Sequence, residues 1–413
     1  MSDPGIDAAL RHPRRGRRSL IAWPGYHSGL TIGSFDRRIV GAIAKPLAHA
    51  SRDSTMIASA LDADMGVVLP GQTWRNQLPA DHSKRQGEFA SLPAYRARQV
   101  DPGAGSFAAD FAEKLSEDDL EAQLGAGATI ATTAAHVHEI ETGVGRQNDL
   151  LLVRLAAEMF LARRGFASAP GRRGRRELYA TLIVQGRHAA DPATVDWLIQ
   201  QYAELEGIDG YWIVAVNTHK SGRQLAGYLR LALGLDRLSE RPTVTSCVGD
   251  PHLALLAAGV AATCAGLHGM SFKYPPDELA VGTDESDEDQ LGLGIHTYHR
   301  SILGNAGTLG AEGDAIRAAL FKNAPCPCGH HVPQRPPKGR TQIVAHNSWA
   351  VQADALAFSR GRVPAAELYL SRRVVNARRN RQFYGMSGLH PGFVAVLAES
   401  PKLRERERAL GEG

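Results

Sequence analysis

The residues best equipped for chemistry lie close together near the end of the chain. Cys326-Pro-Cys328-Gly-His330-His331 is followed about 15 residues on by His346-Asn347. Thiolates and imidazoles suit Zn²⁺, which favours four ligands in a tetrahedron. Cys326, Cys328, one of the two adjacent histidines and His346 would supply that number. Metal–ligand energy readily offsets the entropy of closing so short a loop. Four protein ligands leave no open position, so the expected role is structural.

Other candidates are dispersed. Asp101 precedes a glycine-rich turn, where it would act as an acid or base or simply cap the turn. Gln185 carries a primary amide able to donate and accept at once, as recognition of a base edge requires. Asn217 and His219 follow a later apolar run and would line the same pocket. His136 and His138 alternate with Glu139 and Glu141, an arrangement open to a second metal site or to solvated loop residues. Arg146-Gln-Asn-Asp149 reads as a helix start capped by Asn148 or Asp149. Cys264 lies in an apolar run and reads either as packing or as a thiolate nucleophile activated by nearby His268.

Positioning these groups needs a regular scaffold. Strands are expected near Leu20–Trp23, Gly66–Leu69, Arg98–Asp101, Thr129–Thr132, Leu178–Gln185, Tyr211–Val216, Thr243–Val248 and Val260–Ala265. Segments of helical period alternate with them, among them Asp149–Arg163, Pro192–Glu206, Gly222–Leu233 and Pro251–Ala258. Asp191-Pro192 and Asp250-Pro251 have the chemistry of helix N-termini. Repeated strand–helix–strand units imply a parallel sheet, and no GxGxxG follows the first strand. The expected fold is therefore an α/β (β/α)₈ barrel of TIM type with a C-terminal zinc-binding helical extension. Functional loops would follow the strand ends, bringing Asp101, Gln185, Asn217, Gly249-Asp250 and His268 to one rim. The expected division is a basic tail at 1–18, the barrel at 19–273 and an acidic and glycine-rich insertion at 274–315. The metal motif with C-terminal helices would occupy 316–390, and a second tail 391–413.

The 413 residues are 43% apolar, as in a globular protein, and no apolar run approaches the roughly 20 residues of a membrane span. No signal-peptide h-region follows the basic N-terminus, and four cysteines make no disulfide framework. Together these predict a cytoplasmic protein. Arginines gather at 14–18, 172–176 and 372–381, under a net charge of +4. They read either as phosphate-gripping clusters or as solvated faces.

The C-terminal motif resembles the metal site of tRNA-guanine transglycosylases, where CxCxxC precedes a histidine–asparagine pair that opens a helix. His331 stands where the third cysteine would be, so the resemblance implies Cys326, Cys328, His331 and His346 as zinc ligands. Leu182-Ile-Val-Gln185-Gly186 looks like the family's strand ending in Val-Gln-Gly, whose glutamine helps read the purine. Asp209-Gly-Tyr-Trp-Ile213 is similar to its Asp-Gly-Tyr-Ala-Ile, and Val248-Gly249-Asp250-Pro251 to its Gly-Val-Gly-x-Pro turn. Asp101-Pro-Gly-Ala-Gly-Ser106-Phe107 corresponds, with altered spacing, to Asp-Ser-Gly-Gly-Phe. The order agrees over roughly residues 95–380. The resemblance thus implies Asp101 as the catalytic carboxylate and Ser106, Gln185, Gly186 and Gly249 as substrate contacts, to which Asn217 is added by its place at the next strand end.

One departure is pronounced. The family's nucleophilic aspartate lies in Gly-Val-Asp-x-x-Asp-Cys, whereas this chain has Gly259-Val-Ala-Ala-Thr-Cys264-Ala-Gly. Cys264 or Ala265 falls where the carboxylate should be, and Val214-Ala215 replaces a pair of glycines. The expected activity is exchange of guanine for a 7-deazaguanine-type base in tRNA or DNA, with a nucleic acid and a purine or 7-deazapurine base as partners. A homodimer is compatible with this reading. The alternatives are a catalytically inactive zinc-containing barrel that binds nucleic acid or acts as a scaffold, and an unrelated barrel enzyme acting on a small metabolite.

Overall fold

The computed structural model describes residues 13–24, 30–77, 90–96, 100–164, 176–216, 221–246, 251–266, 297–306 and 311–411. Eight parallel strands close into a barrel in sequence order: β1 (Ser19–Trp23), β2 (Val40–Ala44), β3 (Gly66–Val68), β4 (Ile130–Thr132), β5 (Glu177–Gln185), β6 (Gly210–Val216), β7 (Thr243–Ser246) and β8 (Ala262–Gly266). The ring closes where β8 pairs with β1, Cys264 lying opposite Ile21. It is an α/β barrel of TIM type. Its interior is packed by side chains such as Ile21, Val68, Tyr179, Ile183, Trp212 and Val244, and is not a pore.

Helices α1 (Ser54–Asp62), α2 (Ala109–Gly125), α3 (Val144–Arg164), α4 (Gly186–Ala189), α5 (Pro192–Ala203), α6 (Gly222–Ser239) and α7 (His252–Ala257) connect successive strands. Asp191 caps α5 by accepting from the amides of Ala193 and Thr194, as its sequence predicts. After the barrel come a small antiparallel pair, β9 (Tyr298–His299) and β10 (Gly304–Asn305), then α8 (Ala311–Asn323), α9 (Gly339–Ser359), α10 (Val363–Phe383) and α11 (Pro391–Gly411). Among the described residues no helix is long and apolar enough to cross a membrane.

Three expectations need correction. The second strand is Val40–Ala44, and Arg98–Asp101 is not a strand: residues 97–99 lie outside the described residues, and Val100 and Asp101 belong to the connection between β3 and α2. Val40-Gly-Ala-Ile-Ala is buried at every position, so it shows none of the alternation that marks a half-exposed strand. The C-terminal segment expected as a tail is the helix α11, with Phe393 and Val396 fully buried. The basic N-terminal tail does not extend to Arg18. Its buried guanidinium donates to the carbonyls of Leu256, Ala257 and Phe358 through Nη1 and of Ser359 and Gly361 through Nη2. A cation at the C-terminal ends of α7 and α9 satisfies carbonyls that the helices leave open.

Candidate metal centre and barrel-mouth cleft

Four side chains meet between α8 and α9. Ligand atoms of Cys326, Cys328, His331 and His346 all lie within 4.8 Å of one another. The cysteines follow α8, and Gly329, at φ +75°, supplies the left-handed backbone that turns the chain between Cys328 and the histidines. The Cys326 amide donates to Pro333 O at 2.9 Å and closes the loop. His346 comes from α9, whose next residue, Asn347, accepts from the Tyr298 amide at 2.8 Å and ties the helix to β9. His330 is exposed and outside the cluster, so His331 is the histidine brought to the other three.

The protonation pattern shows that this set fits a cation. His346 Nε2 lies 2.7 Å from Tyr298 O and His331 Nδ1 2.9 Å from Val332 O. A carbonyl only accepts, so each neutral ring carries its proton on that nitrogen. The bare nitrogens, His331 Nε2 and His346 Nδ1, then face each other at 3.0 Å, with Cys326 Sγ 3.4 Å from the latter. Lone pairs converging in this way are suited to a metal ion, and the outer carbonyl contacts fix the ligating tautomers. Burial lowers the His346 pKa to about 4, which disfavours an imidazolium as the alternative cation.

Beside the cluster is a cleft of about 440 Å³ lined in part by Arg300, Arg373, Asn376, Arg379 and Asn380. Buried Asp354 accepts from Arg300 at 2.7 Å and Arg373 at 3.2 Å, so part of the arginine cluster at 372–381 is built into the core of the extension. Of the 172–176 cluster, only Arg176 is among the described residues.

The second candidate site is a cleft of about 550 Å³ at the C-terminal side of the barrel, lined by Gln77, Asp101, His138, Glu139, Gly145 and Gln185, among others. Asp101 and Gln185, distant in sequence, share this one cavity. Asp101 reaches it from the connection after β3. Its Oδ1 accepts from the Gly103 amide at 2.9 Å, a turn-capping bond, and its other oxygen has no partner among the described residues. Gln185 ends β5, points inward in register with Ile183, and donates through Nε2 to His138 O at 2.7 Å. Ser106 is exposed and is not part of the cleft wall. Gly186 serves packing: a Cβ there would come within 2.6 Å of the Gln224 amide on α6. Asn217, His219, Gly249, Asp250 and His268 lie outside the described residues.

Cys264 is buried in the barrel wall, and burial pushes its thiol pKa far above the ordinary value. A protonated thiol in an apolar interior is not a nucleophile. No carboxylate stands on β8, so among the described residues the rim carboxylates in the cleft are Asp101 and Glu139.

Glu139 is exposed, as a loop residue would be, but His136, His138, Glu141, Arg146 and Asp149 are buried and none of them is solvated or a helix cap. Helix α3 begins at Val144, which puts Asp149 in its second turn, facing inward. Asp149 accepts from His136 Nδ1 and His138 Nε2, both at 2.8 Å. Buried Arg146 joins Asp149 at 3.3 Å to Glu141, whose Oε1 is 2.9 Å from His188 Nδ1. The guanidinium also donates to Ile183 O at 2.9 Å. Burial opposes ionisation of Asp149, but His138 and His136 hold its pKa well below the usual carboxylate range. Glu141, likewise buried, is kept low by Arg146. Asn148, read from sequence as a cap, donates to Pro102 O and Gly105 O and accepts from the Phe107 amide, holding the loop that carries Asp101. The dense His/Glu/Arg/Asp run is the sequence signal for this network, although its burial is a tertiary property.

No family model matches the chain, and no curated protein matches it in sequence. A solved structure described as a phosphonomutase, from Burkholderia cenocepacia, aligns at 16% identity and a TM-score of 0.35, covering 63% of this chain and 91% of that one.

Proposed function

We propose that this chain is a cytoplasmic, zinc-bearing barrel that binds tRNA or DNA and exchanges guanine for a 7-deazaguanine-type base, like the tRNA-guanine transglycosylases it resembles. The observation that carries the reading is the convergence of Asp101 and Gln185 on one cleft at the strand ends. A flipped purine needs such a pocket, with an amide at its edge and a carboxylate near the anomeric carbon, where positive charge develops. Asp101 is then the catalytic carboxylate and Gln185 the base-reading amide. The two-thiolate, two-imidazole set suits Zn²⁺, which would serve as a cross-link between the loop after α8 and helix α9. The nearby arginine-lined cleft would grip the polymer's phosphates.

A second reading, binding without exchange, is favoured by the lack of a carboxylate on β8. The two separate in one experiment: incubation of the protein with tRNA or duplex DNA and labelled guanine, followed by nucleoside mass spectrometry. Exchange predicts incorporated label that Asp101→Asn reduces at least 100-fold without unfolding the protein. Salt-sensitive binding with no incorporation supports the second reading, and absence of binding rules out both.

A further inference from the structure

His138 forms part of the cleft wall, and behind it stands an ionised network that neither base reading nor metal binding explains. Its Nε2 is 2.8 Å from Asp149 Oδ2. An ionised carboxylate only accepts, so neutral His138 carries its proton on Nε2 and leaves Nδ1 bare. That nitrogen lies against Gly145, itself a residue of the cleft wall; a Cβ there would come within 2.5 Å of it. Asp149 is held by further bonds from the His136 ring, the His136 amide and Arg146. Glu141 and His188 complete the charged surroundings. An imidazole fixed in one tautomer by a braced carboxylate, with its second nitrogen bare beside a glycine of the cavity wall, is the arrangement of a general acid–base group.

We propose that His138 is the proton carrier of this cleft and Asp149 its positioning residue. The assignment rests on the base-exchange reading above. His138 first takes up a proton at Nδ1 from water. As the bond from C1′ to the departing base breaks, a bond from an Asp101 carboxylate oxygen to C1′ forms, and that Nδ1 proton passes to the departing ring nitrogen. In the second half, the incoming base bonds to C1′ through its ring nitrogen and the ester bond to Asp101 breaks. The N–H proton of the incoming base passes to neutral His138. The proton lost in the first half is recovered in the second, and nothing is oxidised or reduced. Gln185, its amide nitrogen committed to His138 O, leaves Oε1 for the base edge. The same bond couples the base-reading amide to the segment that carries the imidazole.

The test uses the full-length, metal-loaded protein labelled with ¹⁵N. Long-range ¹H–¹⁵N correlation at neutral pH is expected to show His138 protonated on Nε2, with the Nδ1 resonance shifting when free guanine is added. Asp149→Asn should mix the tautomers. In the exchange assay, His138→Gln should keep guanine binding while turnover falls about 10²–10⁴-fold, and free imidazole should restore turnover to His138→Gly. A merely structural histidine would give no such rescue. A neutral ring with its proton on Nδ1 and Nε2 bare, a guanine response at Gln185 but not at His138, or wild-type turnover in His138→Gln would overturn the assignment. Wild-type protein inert toward both tRNA and DNA would instead overturn the exchange reading. The tautomer and guanine measurements would then decide on His138 alone: a guanine-sensitive Nδ1 that is bare in the neutral ring upholds it as the acid–base group of the cleft, and the opposite neutral tautomer removes it.

Discussion

Asp119 shows how far a single buried group can depart from its ordinary chemistry. It is 1% exposed on α2, and burial, partly offset by the Gln123 amide, raises its pKa to about 7. Among the described residues its Oδ1 has no hydrogen-bond partner, and a side chain on Gly71 would collide with it. The folded protein thus holds a proton that the unfolded chain releases near pH 4. This contribution to stability is present below about pH 4 and lost as pH rises through about 7, at up to about 1.4 kcal/mol per pH unit. Asp119→Asn should flatten that slope and stabilise the protein above pH 7, as urea unfolding at pH 5 and pH 8 would reveal; an unchanged difference between the two would refute it. Legibility from sequence differed sharply among residues. Cys326, Cys328 and His346 were readable because metal ligands are rare types at short spacing. Arg146 and Asp149 resemble a helix start, and Glu141 a loop residue or metal ligand, because the partners that bury them, His138, His188 and Tyr202, come from other elements.

Among the elements, β5 to β7 stood out in the sequence because their apolar runs are long and bounded by turn residues or capped helices. β2 did not, since Gly41, Ala42 and Ala44 give it neither bulk nor alternation. Helix α11 was missed for a different reason: Pro401 and a charged end obscure an apolar face that only its neighbour α6 reveals. Close approach of the two helices depends on small residues. A Cβ at Gly392 would stand 1.9 Å from Leu225 Cδ1, and one at Gly222 2.9 Å from the Ala395 Cβ. Gly392→Leu should therefore destabilise the protein by about 2 kcal/mol through overpacking, measurable by denaturant titration. Arg404 meanwhile grips Glu367 through both carboxylate oxygens and fixes α11 to α10.

For the molecule as a whole, the proposed zinc joins only the loop after α8 to α9, while the barrel rests on its own strand pairing and core. Removing the metal should loosen that join and leave the barrel intact. Metal analysis is expected to find about one zinc per chain, abolished by Cys328→Ser. After chelation, proteases should cut between residues 324 and 338 while far-ultraviolet dichroism is largely retained; loss of the whole dichroism signal would mean that the ion supports the barrel as well.

The seam between the first and last strands bears on how the chain is made. Leaving the ribosome, β1 finds one neighbour early in β2, but its other edge stays open until Ala262–Gly266 has been synthesised. Arg18 waits longer, since three of its five acceptors lie at Phe358, Ser359 and Gly361. At roughly 5–20 residues per second, the Arg18 codon is translated tens of seconds before those of the residues that complete its bonds. The nascent barrel therefore carries an unsealed edge until β8 is made, and a ribosome stalled before the α9 codons would hold a closed ring whose Arg18 still lacks three of its five carbonyl acceptors.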